Sequence, residues 1–241
     1  MNSVSTDQQL LQIVSGPAPG TVDEVVSMMK KIDQLLPGND GLKWFNLLYL
    51  MVTQQVDTQP PAGGWEDAQW LTRLDVVFAK LYFAALAGFL TQSADTPSSW
   101  NALLESRFNA GVDRIQFALA GMNAHINHDL SLALLQTNDE LQIMPDLNSP
   151  EHDDYERVNG LLQTVLPSAL QVLATGIIGA LAQDTGMIGR LLAIWDVAVA
   201  RDLAWDFAGH LRDLSGLSRN LALKAQDQLT GVIGRSLLLP V

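Results

Sequence analysis

A histidine and an aspartate four residues apart on a helix can share a proton, and the stretch Gln116 to Leu130 sets His125 and Asp129 at that spacing. At 3.6 residues per turn both side chains fall on one face, with His128 one step to the side. If Asp129 accepts a hydrogen bond from one imidazole nitrogen, the other is left as a general acid or base. Two ligands at i and i+4 can also bind one divalent ion, so His125, Asp129 and His128 form the candidate metal set, to be completed from other helices. Gln116, Asn123 and Asn127 lie on roughly the opposite face. A surface helix has one polar stripe. Two narrow stripes separated by Ala, Leu, Ile and Met describe a central helix whose polar groups find partners inside the protein. A purely structural network that stitches helices together accounts for the same residues.

Other residues extend the candidate site. Asp75 sits among Leu74, Val76, Val77 and Phe78, a setting that raises its pKa or demands a partner. Arg73, Arg107, Arg114 and Arg201 are the available partners, and an arginine facing a cavity can anchor a carboxylate or phosphate. The acid–base reading therefore takes His125, Asp129 and Asp75 as catalytic. Asn123, Arg107, Arg201, Gln116 and Trp205 are its substrate-binding residues. Asp202, Asp206 and His210 form a second stripe near Trp195, read first as a solvated acidic face. The run His152-Asp153-Asp154-Tyr155-Glu156 is similar to the acidic metal motif of helical terpene cyclases. It also suits the first turn of a helix, where acids favour the macrodipole.

Composition narrows the chemistry. The 241 residues are 48% hydrophobic and only 17% charged, against about 25% for an average soluble domain. Acids outnumber bases 26 to 14, for a net charge of −12. That field repels nucleic acid and anionic membrane surfaces, so a small and largely apolar molecule is the expected partner. With no cysteine there is no disulfide, thiolate metal site or cysteine nucleophile. No strand precedes a glycine cluster and no G-x-S-x-G occurs, which sets aside phosphate-loop and α/β-hydrolase chemistry. The reaction needs no cofactor, although a single divalent metal is compatible with it. The start, Met1 to Asp7, has neither a basic nor an apolar signal region, so the expected compartment is the cytoplasm. The longest uncharged run, Val158 to Gln183, is broken by Gln163, Pro167, Ser168 and Gln171 and reads as a core helix. Helix surfaces so poor in charge are compatible with a homodimer.

Helices must position these residues, and breakers mark their ends. Residues 1–20 read as a loose arm, followed by one helical domain over 21–241. Thr21 with Glu24 makes a capping box for a helix that stops at Pro37-Gly38. Further helices are expected over about 42–56, 66–90, 97–108, 112–136, 187–214 and 217–238. Another begins at Pro150, which Pro167 kinks or divides. No strand-like alternation occurs, so the expected fold is all-α, a single-domain bundle of about eight helices.

The blocks Trp44 to Tyr49, Leu74 to Ala79, Gln116 to Leu130 and Ala200 to Trp205 resemble the bacterial and fungal domain-of-unknown-function family numbered 5995, from about residue 22 to 238. The resemblance implies a mainly helical single domain and carries over no catalytic residue. Asn123 to Asn127 is its most specific block, and His128 is less typical of it than His125 and Asp129. A weaker similarity is to the zinc-dependent phospholipase C and P1-type nucleases, which also place His and Asp four apart on a helix. Met1 does not match their N-terminal Trp ligand, and no further histidine follows Asp129 as theirs does. The helical HD phosphohydrolases share the adjacent His128-Asp129 but not the pattern around it. A metal-dependent hydrolase is the alternative enzyme, and a non-catalytic binding or assembly protein the alternative outside enzymes.

Overall fold

The computed structural model of the chain describes residues 5–173 and 196–240. Its order is α1 (Thr6–Val14), α2 (Val22–Leu35), α3 (Leu42–Thr58), α4 (Ala68–Leu90), α5 (Ser98–Ser106), α6 (Arg114–Ala124), a π-helical turn (His125–Asp129), α7 (Leu130–Leu141), α8 (Pro150–Leu173), α9 (Val197–Asp213) and α10 (Gly216–Leu237). With α6, the π turn and α7 taken as one rod, the described residues form nine helices and no strand, close to the eight expected. Trp195 and the first residues of the helix expected from 187 lie outside the described residues. So does the end of the uncharged run after Leu173.

The extra helix corrects the loose arm. Ser5 caps α1 through a capping box with Gln8, and Leu10 is fully buried. An ion pair from Asp7 to Arg107 adds a second hold. Thr21 caps α2 as expected, but Glu24 reaches back to the Gly20 amide at 2.6 Å rather than to Thr21. Pro167 neither divides nor ends α8. It lies on the exposed face, where the Gln163 carbonyl it frees can meet water, while Leu166, Ala169, Leu170 and Leu173 keep the opposite face buried.

The rod from α6 to α7 is the axis of the molecule. It packs against α3, α4, α5, α8, α9 and α10 along its length. Nearly all of its residues from Ile115 to Leu135 are buried. Two carboxylates tie distant helices together by capping them. Asp154 of α8 accepts from the amides of Glu66 and Asp67 before α4, at 2.9 and 2.7 Å. Asp227 of α10 accepts from the Ser98 and Ser99 amides of α5, at 2.8 and 2.9 Å. Both place a negative charge on a helix N-terminus, where unpaired N–H groups and the macrodipole receive it.

Glycine is required where the axis meets α3. A methyl group on Gly121 would overlap the ring of Phe45, which lies across it. Gly121→Ala is therefore expected to lower unfolding stability by roughly 1 to 3 kcal/mol in a urea titration, as overpacking does. Gly160→Ala has open space around its Cβ position and is expected to be neutral or slightly stabilising in the same titration.

Candidate active site

The π turn sits at the centre of the rod, with the Leu130 amide bonding back to the His125 carbonyl. Such a turn inserts one residue into an α-helix, and the register of side chains shifts across it. The helical spacing still brings the expected pair together: His125 Nδ1 lies 3.0 Å from Asp129 Oδ2. The indole N–H of Trp100 on α5 donates to that same oxygen at 2.9 Å. His125 is 1% exposed, Asp129 2% and Trp100 fully buried. The imidazole stacks flat on Phe78, with ring centroids 3.5 Å apart and 5° between planes, and meets Tyr49 edge-on at 4.5 Å. Its Nε2 is buried without a hydrogen-bond partner among the described residues.

Burial sets the charge of this pair. It holds the His125 pKa well below the usual imidazole value and pushes Asp129 well above the usual carboxylate value. Neither group ionises easily alone, and the role of Nε2 depends on whether the pair holds two protons or one. With the proton on Asp129, Nδ1 accepts and Nε2 carries a hydrogen to donate. With Asp129 ionised, Nδ1 donates and Nε2 presents a lone pair. The arrangement can act as acid or as base at one fixed atom.

His125 lines a cavity of about 60 Å³ between α3, α4, the rod, α8 and α9. Aliphatic side chains of Val52, Leu74, Met122 and Leu162 form much of its wall. Tyr49, Thr53, Asp75, His125 and Arg201 supply the polar lining. Asp75, partly buried, makes no hydrogen bond among the described residues. Burial pushes its pKa up to about 7, against the lowering charge of Arg201. Tyr49 stays a neutral phenol, since burial and the charge of Asp75 both raise its pKa. Thr53 Oγ1 is a second buried polar atom without a hydrogen-bond partner among the described residues. A carboxyl near neutrality and an imidazole face one space, a pairing suited to proton transfer.

Of the expected site residues, the structure gathers His125, Asp129, Asp75 and Arg201, and disperses the others. Asn123 faces α10, bonding the Thr230 carbonyl at 2.9 Å and accepting from Asn127 at 3.0 Å. Gln116 completes a capping box with Asp113 and holds the Leu237 and Leu239 carbonyls. Arg107 is buried in ion pairs with Asp7 and Asp40 near α1. Trp205 borders a separate surface groove and packs against Trp70, His152 and Tyr155. None of these four lines the cavity, because each is engaged by partners away from it. Asp202, Asp206 and His210 are exposed, as a solvated stripe should be.

The metal set is corrected as well. His128 points toward Asp227 at 4.0 Å, on the α10 side, while Nδ1 of His125 is already engaged by Asp129. The three groups do not converge, and no cluster of three potential ligands occurs among the described residues. The terpene-cyclase-like run is likewise structural, since Asp154 is fully buried as the cap of α4. Thr53, Tyr49, Trp100 and Asn159 are the site residues that sequence reasoning missed. Their types are ordinary core types, and only proximity marks them.

A described fold that is all helix, with a buried His–Asp–Trp hydrogen-bond chain beside a partly open cavity, defines a class of α-helical protein with an internal polar site. The chain belongs to the family of unknown function DUF5995, which it matches over residues 22–240. No curated protein and no solved structure matches it.

Asp75 makes stability depend on pH. Its folded pKa of about 7 lies above the ordinary carboxylate value, so the folded state holds a proton that the unfolded chain gives up from about pH 4 upward. Stability therefore falls as pH rises from about 4 to 7 and levels off beyond. Asp75→Asn is expected to match the wild type at pH 4. At pH 8 it should be the more stable by roughly 2 to 4 kcal/mol, the upper end discounted because solvent partly reaches the side chain. Urea denaturation at the two pH values measures the difference.

Proposed function

We propose that the protein is a cytoplasmic enzyme that moves protons on a small, largely apolar molecule held in the cavity. His125 Nε2 is the transferring atom and Asp75 the second acid–base group. The observation that carries this reading is the state of His125. One nitrogen is fixed by Asp129, which Trp100 holds, while the other is buried without a partner among the described residues and the ring lines the cavity. A purely structural histidine in so apolar a setting would use both nitrogens, because an unpaired buried polar atom costs about 1–3 kcal/mol.

The steps follow from the groups present. Substrate enters with an acidic C–H or a polarised oxygen between Asp75 and Nε2. Asp75, poised near neutrality, takes or gives a proton at one face, and Nε2 serves the opposite role at the other. Asp129 gives its proton to Nδ1 when Nε2 acts as acid and takes the Nδ1 proton when Nε2 acts as base, and Trp100 keeps the carboxylate aligned. Tyr49 donates a further hydrogen bond as a neutral phenol. Low dielectric around the cavity strengthens each of these interactions. Isomerisation, elimination, cyclisation or hydrolysis without a cofactor all fit such a site. The net charge of −12 supports a small-molecule partner over nucleic acid.

His125→Asn tests the reading, because its amide can still reach Asp129 from the Nδ1 position while Nε2 is deleted. The assay is hydrogen–deuterium exchange and turnover of small carbonyl compounds and esters, followed by NMR in D2O. The activity found is expected to fall on the order of a hundredfold or more in His125→Asn and in Asp75→Asn. Urea unfolding of both variants should stay cooperative. Unchanged turnover in His125→Asn overturns the assignment. A loss of several kcal/mol in stability, with no turnover by the wild type, favours a structural network instead.

A further inference from the structure

The charge inside the cavity identifies the kind of molecule it takes, given the acid–base reading above. Arg201 is the one cation among the described residues that line it. The guanidinium is held rigidly at 6% exposure. Nε donates to Asn159 at 2.6 Å, Nη2 donates to the Tyr155 carbonyl at 3.0 Å, and the group stacks on the Tyr155 ring at 4.0 Å. The Tyr155 hydroxyl closes the loop by donating to the Arg201 carbonyl at 2.6 Å. No carboxylate lies within ion-pair distance of Arg201 among the described residues, in contrast with Arg107, which has two. Nη1 makes no hydrogen bond among them either. A buried, immobilised cation with no carboxylate in ion-pair contact among the described residues is an anchor for one, since holding the fork in place beforehand removes much of the entropy cost of binding.

Size and lining limit the anion. A volume of about 60 Å³ is well below the 150 Å³ of a cavity that takes benzene, so only the smallest carboxylates fit. Val52, Leu74, Met122 and Leu162 offer an apolar surface to a short tail. Thr53 Oγ1 and His125 Nε2 remain to be satisfied near it. We propose that the cavity binds a short monocarboxylate of two or three carbons, with its carboxylate on Arg201, its tail against the aliphatic wall and its oxygens or α-carbon within reach of Thr53 and His125. Asp75 offsets this selectivity only in part, because a carboxyl titrating near 7 is about half protonated at pH 7, and in that form it can donate to the anion.

Isothermal titration of the full chain at pH 7 with acetate, propionate, propionamide, 1-propanol and propylamine tests this directly. Propionate is expected to bind at least tenfold more tightly than propionamide, propanol or propylamine. Inorganic phosphate and chloride, run alongside, should not compete. Arg201→Lys is expected to weaken propionate at least tenfold. Thr53→Leu, which fills the cavity without touching the guanidinium, should do the same and decides the matter if Arg201→Lys fails to fold. Equal affinity for propionamide, preference for propylamine, displacement by chloride, or propionate binding that survives Thr53→Leu each overturn the proposal. Those results leave the proton-transfer reading intact, because that reading stands or falls on turnover in His125→Asn, which binding does not measure.

Discussion

A helix surrounded by other helices has no face left for water, and that constraint organises this molecule. Every polar side chain on the rod from α6 to α7 must be satisfied by protein or left unsatisfied at a cost. Asn123 and Asn127 meet α10, Gln116 meets the end of α10, and Asp129 meets Trp100 and His125. Three buried atoms on the rod remain without hydrogen bonds among the described residues: Nε2 of His125, Nδ1 of His128 and Oγ1 of Thr137. Only His125 of these three borders the cavity beside Asp75 and Arg201. The functional reading follows from that coincidence of an unsatisfied atom and an adjoining cavity.

The same constraint explains how a protein with so few charges spends them. Asp154 and Asp227 each cap a helix far away in sequence, where the amides they accept have no other partner. Arg107 and Arg201 are buried to similar degrees but do different work. Arg107 sits in ion pairs with Asp40 and Asp7, which pin α1 and the start of α3 to the end of α5. Arg201 is held by neutral acceptors, an amide oxygen and a backbone carbonyl, so among the described residues no carboxylate contact compensates its positive charge. A charge kept in this way influences whatever enters the adjoining space.

Burial and chemistry pull against each other at the cavity. Placing Asp75 there raises its pKa and costs stability at neutral pH, while His125 and Asp129 resist ionisation for the same reason. Such tension is characteristic of sites whose groups must exchange protons readily, because groups stabilised in one charge state transfer poorly. The flat stack of His125 on Phe78 adds to it, fixing the ring so that Nε2 cannot turn toward another partner.

Local information carried much of this structure. Helix periodicity, Thr21 before α2, and the breaker at Pro37-Gly38 are read within a turn or two of chain, as is the i, i+4 relation of His125 and Asp129. That relation survived the π turn because it spans a single turn of helix. The buried setting of Asp75 was legible too, from four apolar neighbours. Other features depend on which helix packs where. Leu10 and Asp7 made an ordered helix of an apparent arm because α2, α4 and Arg107 were there to receive them. Gln116, Asn123, Arg107 and Trp205 look in sequence as fit for a ligand as Arg201 does. What separates them is partner geometry: the first four are turned toward neighbouring helices, while Arg201 lines the cavity. Sequence alone determined an all-helical chain with a proton-sharing pair on its central helix. Tertiary structure decided which polar groups that pair faces, because an unsatisfied atom is defined by what is absent around it in space, and spacing along a chain holds no record of that.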